Sequence, residues 1–148
     1  MPDVRVAFNI LQSTETYENF SIMIEAHGAL LDPTVVGRIM WGRDWSDEQR
    51  IWATDIRDRA HSMFNSFFDE YECLVMPICP GAVRPATHAS VKQREDTLNL
   101  TAFVSVAGLP ALSVPVFLDD VRSVGLQFVF KGTKAELPPK LLKLWSNI

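Results

Sequence analysis

Residues 97–118 form a long stretch without a charged side chain. The segments before and after it mix apolar and charged residues. A membrane-spanning helix needs about 20 mainly apolar residues, and the stretch is that long. Pro110 and Pro115 argue against a span, because a proline inside a helix removes a hydrogen bond and clashes with the preceding turn. We therefore interpret the stretch as two buried elements joined by a tight corner.

The corner is predicted at Gly108-Leu109-Pro110. Glycine at the left-handed C′ position, with proline soon after it, is typical of a helix end. A helix capped by Asp96 or Thr97 is predicted over residues 96–107, followed by a strand over residues 111–118. Alternate apolar residues in the first element also fit a strand, but the glycine–proline stop favours the helix. Both elements are too apolar to face water, so we expect the rest of the fold to cover them.

Upstream, the apolar positions predict a short strand followed by two helices. Residues 4–11 partly alternate, which favours a strand, whereas residues 14–31 carry apolar side chains at helical spacing. Asp32 is a suitable N-cap and Pro33 suits the first helical position. A short helix should therefore follow and close at Gly42.

The longest predicted helix begins with a capping box formed by Ser46 and Gln49 and continues to about Glu70. Its large apolar residues recur at helical spacing. Burying each contributes about 1.5–3 kcal/mol, so this face must pack against a substantial partner. The stripe consists of Trp52, Ile56, Ala60, Met63 and Phe67, widened by Phe64 and Phe68.

Three further segments complete the predicted order of elements. Residues 71–77 form a short apolar run that predicts a buried strand. Residues 123–130 predict another strand, and the short Asp119-Asp120 turn before it indicates an antiparallel hairpin with residues 111–118. A pair of prolines beginning at Pro138 opens a final predicted helix.

The order helices, strand, helix, hairpin, helix predicts an α/β or α+β fold with a partial mixed β-sheet flanked by helices. A chain of 148 residues is long enough to bury one core, so residues 1–148 are expected to form a single domain. The composition, with 47% hydrophobic and 22% charged residues, is ordinary for a globular protein.

The charge and the cysteine content of the chain limit its expected partners and cellular compartment. The net charge is −4 and no run of Lys or Arg occurs, which argues against nucleic acid and against an anionic membrane surface as partners. The N-terminus has an acid at Asp3 and lacks the basic and apolar regions of a signal peptide. Cys73 and Cys79 are the only cysteines, and we expect them to be reduced thiols of a cytoplasmic protein.

Residues that commonly carry chemistry are dispersed. His27, His61 and His88 show no metal-ligand spacing, so no metal or other cofactor is expected. Cys79 and His88 would be a nucleophile and a base if they met. A thiol at a strand end among prolines and a histidine in a loop account for both residues structurally.

Ser105 and Ser113 lie in the apolar stretch without an evident base or exposed elbow. They are interpreted as small polar residues hydrogen-bonded within a packed helix and strand. Asp119 and Asp120 indicate a turn and not a catalytic carboxylate pair. The residues by themselves therefore predict no self-sufficient active site.

The segment LTAFVSVAGLPALSVPVF, followed closely by SVGLQFVF, resembles the C-terminal portion of the amidase signature family. Those enzymes carry a threonine, an asparagine four residues later, an Ala-Gly-Leu-Pro corner, a strand ending in Ser-x-Pro and a Val-Gly-Leu-Gln strand. Upstream, PICP resembles the family's Pro-Thr-x-Pro turn. The resemblance covers residues 46–130, with matching positions at Thr101, Ser105, Ser113, Pro115, 77–80, 107–110 and 124–127.

The chain departs from the family pattern at three points. Ser105 stands where the family usually has asparagine, and Ile78 stands where it usually has threonine. The family's catalytic lysine and two serines, one of them in a glycine-serine-rich loop, lie N-terminal to the matched region. No such loop occurs in the 148 residues, so no catalytic residue is assigned.

The resemblance implies a part in the hydrolysis of amide C–N bonds. In intact members a serine attacks the amide and forms an acyl-enzyme that water then cleaves. This portion would supply part of the central sheet and a wall of the substrate pocket, with Pro77, Ile78, Cys79, Thr101 and Ser105 near that wall. The alternative for Thr101 and Ser105 is that they only satisfy backbone groups where the helix packs.

Three hypotheses follow for the isolated chain. In the first, it is part of an amide hydrolase, inactive alone, and its partner is the N-terminal amidase portion. In the second, it is a non-enzymatic module that self-associates as a homodimer, because a short sheet cannot cover so much apolar surface. In the third, it is a stand-alone hydrolase that uses Cys79 or a serine of its own.

Overall fold

The computed structural model describes residues 2–81, 91–120 and 122–132. The chain begins with one long helix, α1 (Pro2–His27), so the strand expected over residues 4–11 is wrong. Val4, Phe8 and Leu11 recur at helical spacing and pack against the larger buried cluster. Ala7 and Ile10 are buried in a second cluster. Over so short a segment the apolar residues fit both the two-residue period of a strand and the 3.6-residue period of a helix. The contacts with the two buried clusters stabilise the helix.

The predicted N-cap of the second helix is confirmed. The Thr34 amide donates to Asp32 Oδ1 at 2.7 Å, and helix α2 (Pro33–Met40) follows with proline at its start. Two 3-10 helices, Gly28–Leu30 and Trp41–Arg43, flank α2. Gly42 touches the α1 backbone so closely that an added Cβ would lie 1.9 Å from the Ser13 carbonyl oxygen.

Helix α3 (Asp47–Glu70) has the predicted capping box and the predicted end. Its buried face differs from the predicted stripe, because Trp52 and Met63 are 37% and 46% exposed. The small side chain of Ala53 joins the buried cluster of Ala7 and Ile10 on α1, which turns the larger neighbours outward. The buried residues of α3 are Ala53, Ala60, Phe64 and Phe68.

Helix α4 (Val91–Val106) and the corner after it confirm the predicted helix, but the helix begins before residue 96. Asp96 is inside it and pairs with Lys92 Nζ at 2.8 Å, so it is not a cap. Gly108 has φ of +64°, and the Leu109 and Gly108 amides donate to the Val104 and Ser105 carbonyls. This is the glycine-terminated helix end that the sequence predicted.

The sheet has three strands in the order β1 (Leu74–Pro77), β3 (Ser123–Val129), β2 (Ala111–Phe117). The β2–β3 hairpin is confirmed. Both pairings are antiparallel among the described strands, whereas a mixed sheet was expected. The fold class, helices with a partial sheet, is as predicted.

The larger buried cluster joins α3, α4 and the sheet. Phe64 and Phe103 stack at 5.2 Å between ring centroids, and Val129 is fully buried beside them. The cluster comprises Ala60, Phe64, Phe68, Val104, Val106, Ala107, Leu109 and Val129.

Strand β2 is less covered than expected. Phe117 is 70% exposed, and Leu118, just beyond the strand, is 56% exposed. The buried cluster that joins the described helices to the sheet includes Leu74 of β1 and Val129 of β3 and no residue of β2. The predicted final helix after Pro138 lies outside the described residues. Within the ranges given above, no helix is long and apolar enough to cross a membrane.

Candidate functional site

The residues that carry the family resemblance are held together around β3. Gln127 is buried, and its Nε2 donates to the Leu100 carbonyl of α4 at 2.7 Å. A buried amide leaves little freedom once its hydrogen bond is made, because breaking that bond leaves a desolvated donor. This bond therefore fixes α4, and Thr101 with it, relative to the sheet.

The turn at 77–80 packs against β3 at a glycine. The Ile78 amide donates to the Gly125 carbonyl at 2.9 Å, which extends the β1–β3 ladder by one bond. A Cβ at position 125 would lie 2.2 Å from Ile78 Cδ1. Glycine therefore leaves the space that the Ile78 side chain fills. Cys79, next in the turn, donates its thiol to the Gly81 carbonyl at 2.9 Å.

The corner after α4 is tied to its neighbours by two further bonds. His61 Nδ1 on α3 lies 3.0 Å from the Ala107 carbonyl oxygen. The Phe130 amide donates to the Pro110 carbonyl at 3.0 Å. Helix α3 and the end of β3 thus both hold the Gly108 corner.

Ser105 is exposed and lines an open cavity of about 630 Å³ between α1, α3 and α4. Arg50 and Glu18 line the same cavity, and Arg50 Nη1 lies 3.6 Å from Glu18 Oε1. The Arg50 guanidinium also donates to the Trp45 and Gly42 carbonyls, so it is held in place. The cavity is therefore lined by Ser105 and by an arginine whose guanidinium is held by hydrogen bonds to the backbone.

Two features of this cavity had no sequence signal. Arg50 directly follows the Ser46–Gln49 capping box, where a charged residue is typical of the solvent-facing side of a helix. In the structure it lines the cavity wall. Thr14 Oγ1 also borders the cavity and is buried without a hydrogen-bond partner among the described residues. Only the packing of α1 against α3 brings these groups together.

Of the five predicted pocket-wall residues, only Ser105 is among the residues that line this cavity. Ser105 lines the 630 Å³ cavity, whereas the lining does not include Thr101 or the turn containing Pro77, Ile78 and Cys79. Thr101 is half-buried, and its hydroxyl donates to the Thr97 carbonyl at 3.0 Å.

The described residues offer little nucleophilic chemistry of their own. Burial raises the pKa of the Cys73 thiol, which keeps it protonated and unreactive near neutral pH. Cys73 and Cys79 are both free thiols. No group of His, Cys, Asp and Glu side chains in the described ranges could hold a metal ion. His88, the other half of the Cys79 pair considered above, lies outside those ranges.

The described fold has a three-stranded antiparallel sheet, a helix that ends at Gly108 and a hydrogen bond from Gln127 to that helix. It matches a portion of the amidase signature fold. A crystal structure of an amidase superposes with a TM-score of 0.74 and 20% identity over 88% of this chain and 32% of the amidase. A bacterial aryl acylamidase of the amidase signature family superposes with a TM-score of 0.64 and 19% identity, over 86% of this chain and 30% of that enzyme.

Sequence comparison gives the same class. The chain is 30% identical over 99 residues to a glutamyl-tRNA(Gln) amidotransferase subunit from Helicobacter hepaticus, covering 64% of this chain and 22% of the relative. No family model matches. The chain thus spans about a fifth of the length of this curated relative. The predicted resemblance to a portion of the amidase signature family is confirmed.

Proposed function

We propose that the chain is the C-terminal portion of an amide hydrolase and contributes sheet and pocket wall without turning over substrate by itself. The observation that carries the proposal is the relation to amidase signature proteins over only part of their length. The attacking serine and its serine–lysine relay would come from polypeptide outside these 148 residues. The reaction would be hydrolysis of an amide C–N bond through an acyl-enzyme.

The packing around β3 supports a role as pocket wall. The Gly125–Ile78 contact and the Gln127–Leu100 bond hold the 77–80 turn and α4 on one sheet. Ser105 borders a cavity whose arginine and glutamate supply hydrogen-bond donors and acceptors. We propose Ser105 and the 77–80 turn as contacts to the amide substrate or to the catalytic portion.

A second candidate function is a non-enzymatic module that self-associates in the cytoplasm. It is favoured by the exposed apolar residues of β2, an edge strand of the described sheet. Edge strands with exposed apolar side chains pair readily with other chains. The free thiols of Cys73 and Cys79 favour the cytoplasm, where thiols stay reduced.

A direct assay of the pure chain tests the absence of turnover. The chain is incubated with an aliphatic amide and an aryl amide, and separately with a fluorophosphonate that labels activated serines. We expect neither hydrolysis nor labelling. Sustained hydrolysis that is abolished by Cys79→Ala or Ser105→Ala would instead establish a stand-alone hydrolase.

Co-expression tests the positive half of the proposal. The chain is produced together with the unmatched part of the Helicobacter hepaticus relative, and the complex is isolated by size exclusion. We expect co-elution, amide hydrolysis by the complex, and a raised KM in Ser105→Ala. Ser66→Ala is the matched control, because Ser66 is an exposed helical serine away from the cavity. An equal KM in both variants would mean that Ser105 has no contact with substrate.

A further inference from the structure

A second cavity lies between the start of α1, the middle of α3, β1 and α4. Its volume is about 350 Å³, at the small end of the range of roughly 300–1,000 Å³ that is typical of ligand pockets. It shares no lining residue with the cavity beside Ser105, and none of the five predicted pocket-wall residues lines it. This second cavity is therefore a separate candidate binding site.

The interior of the second cavity is apolar and belongs to the folded core. All but two of its lining residues are apolar. Phe64 and Phe103, whose rings stack at 5.2 Å between centroids, line it together with the buried side chain of Ala102. Leu74 of β1 lines it as well and packs against the larger buried cluster. Because the core already holds these side chains in place, little conformational entropy is lost when a ligand enters.

Arg5 and Asn99 are the two polar residues of the lining. The Arg5 side chain is 36% exposed, and its Nη1 lies 4.0 Å from Glu95 Oε1, a distance too long for a hydrogen bond. Asn99 is an exposed residue of α4 whose side chain makes no hydrogen bond within the described part of the chain. A guanidinium and an amide therefore border the apolar space, and both can be reached from solvent.

These two polar groups select the charge of a ligand. The guanidinium presents its N–H donors in a fixed fork that matches the two oxygens of a carboxylate, and the Asn99 amide can donate a further hydrogen bond. The long Arg5–Glu95 pair is exposed to solvent, and pairs of that kind contribute little to stability, so an incoming carboxylate can replace it. A cationic ligand would be repelled by the guanidinium.

We propose that the second cavity binds a small amphipathic monocarboxylate, with its apolar body against Phe64 and Phe103 and its carboxylate on Arg5 and Asn99. The competing occupant is an apolar side chain of another polypeptide, which would make no use of the guanidinium. The assignment does not depend on the amide hydrolase proposal, because the two sites share no residue.

Calorimetric titration of the full chain with sodium octanoate tests the proposal, with octan-1-ol as a neutral probe that has the same carbon chain. We expect one octanoate per chain and weaker binding of octan-1-ol. Arg5→Gln keeps an amide but removes the charge and the fork. The affinity for octanoate should then fall about tenfold, because a charge-assisted pair at a partly exposed site is lost. The affinity for octan-1-ol should not change.

The matched control for Arg5→Gln is Arg94→Gln. Arg94 is an exposed arginine of α4 that does not line the cavity, so its replacement removes the same charge at a different place. We expect this control to bind octanoate like the parent protein. Both arginines reach solvent, so neither substitution should disturb folding.

Two further variants locate the bound probe. Asn99→Asp changes the shape of the side chain very little but places a carboxylate beside the ligand, so it should weaken the binding of octanoate and not of octan-1-ol. Ala102→Leu fills part of the cavity and should weaken the binding of both probes. Thermal unfolding shows whether Ala102→Leu still folds, and the variants at positions 5, 94 and 99 decide the question if it does not.

Three outcomes would overturn the proposal. An equal loss of octanoate binding in Arg5→Gln and Arg94→Gln would show a general effect of charge and would remove Arg5 from the site. Equal affinities of the parent protein for octanoate and octan-1-ol would show that the cavity does not recognise a carboxylate. If the folded parent protein binds neither probe, the space belongs to a side chain of another polypeptide.

Discussion

At the scale of single residues, a glycine and a buried glutamine on β3 position the neighbouring elements of the site. Gly125 leaves room for Ile78, and that space seats the 77–80 turn on β3. Gln127 uses a buried amide to hold α4. Packing thus accounts for the glycine and the glutamine of the Val-Gly-Leu-Gln pattern.

Gly125→Ala is predicted to destabilise the fold by about 1–3 kcal/mol, because the new methyl group overlaps Ile78 Cδ1 and Cγ1. In an Ile78→Ala background the overlapping atoms are gone, so the same substitution should cost much less. Urea unfolding of the parent, both single variants and the double variant measures this coupling. Additive free energies of unfolding would show that the contact does not limit position 125.

At the scale of elements, the end of α4 and the start of α2 are set by local chemistry. Gly108 closes α4 in a left-handed conformation, and nothing lies within 4 Å of where its Cβ would be. Gly37, inside α2, has equally open surroundings but is in a helix. An added Cβ would meet no neighbouring atom at either glycine. A difference between substitutions at the two positions therefore reports the strain of the left-handed backbone at Gly108.

Gly108→Ala is predicted to lower the free energy of unfolding by about 1–2 kcal/mol, because a left-handed backbone is strained for any residue with a Cβ. Gly108→Val should be worse. Gly37→Ala should instead stabilise by about 0.5–1 kcal/mol through helix propensity. Thermal and urea unfolding of these variants give the comparison, and equal effects at both glycines would contradict the helix-end assignment.

The N-cap of α2 predicts a pH dependence. Hydrogen bonds from the Thr34 amide and hydroxyl hold the pKa of Asp32 below its ordinary value. A carboxyl whose pKa is lower in the folded state stabilises above its unfolded pKa, and loses this effect as the pH falls through its folded pKa. Asp32→Ala should therefore lower Tm at pH 7, and this effect should shrink as the pH falls through the lowered folded-state pKa of Asp32. A Tm difference that persists unchanged in acid would show that the carboxylate charge does not contribute.

At the scale of the whole molecule, the described helices cover one side of a small sheet and leave its β2 edge open. Phe117 and Leu118 project from that edge into solvent. Pairing of two copies along β2 would bury both residues in a closed two-fold arrangement.

We predict that the chain is a homodimer and that Phe117→Lys shifts it to monomer, because a charge on an edge strand opposes pairing. Val91→Lys is the control, since Val91 is even more exposed, at 79%, but lies on a helix. Light scattering over a dilution series measures the mass. A monomeric parent protein that binds no hydrophobic dye would contradict this prediction.

The local sequence determined most of the elements and their boundaries. The Asp32 cap, the Ser46 capping box, the Gly108 end and the β2–β3 hairpin depend on neighbouring residues, so they were predictable. The resemblance over residues 46–130 likewise rested on ordered short motifs. It predicted the class of protein because the motifs occur in the same order and at similar spacings as in the amidase signature family.

Tertiary structure decided what local patterns left open. Residues 4–11 fit two periods, and contacts with α3 and the larger cluster made them helical. The cavity beside Ser105 exists because α1 crosses α3, which brings Glu18 and Arg50 together. Such contacts join residues far apart in sequence, and no short pattern encodes their distance.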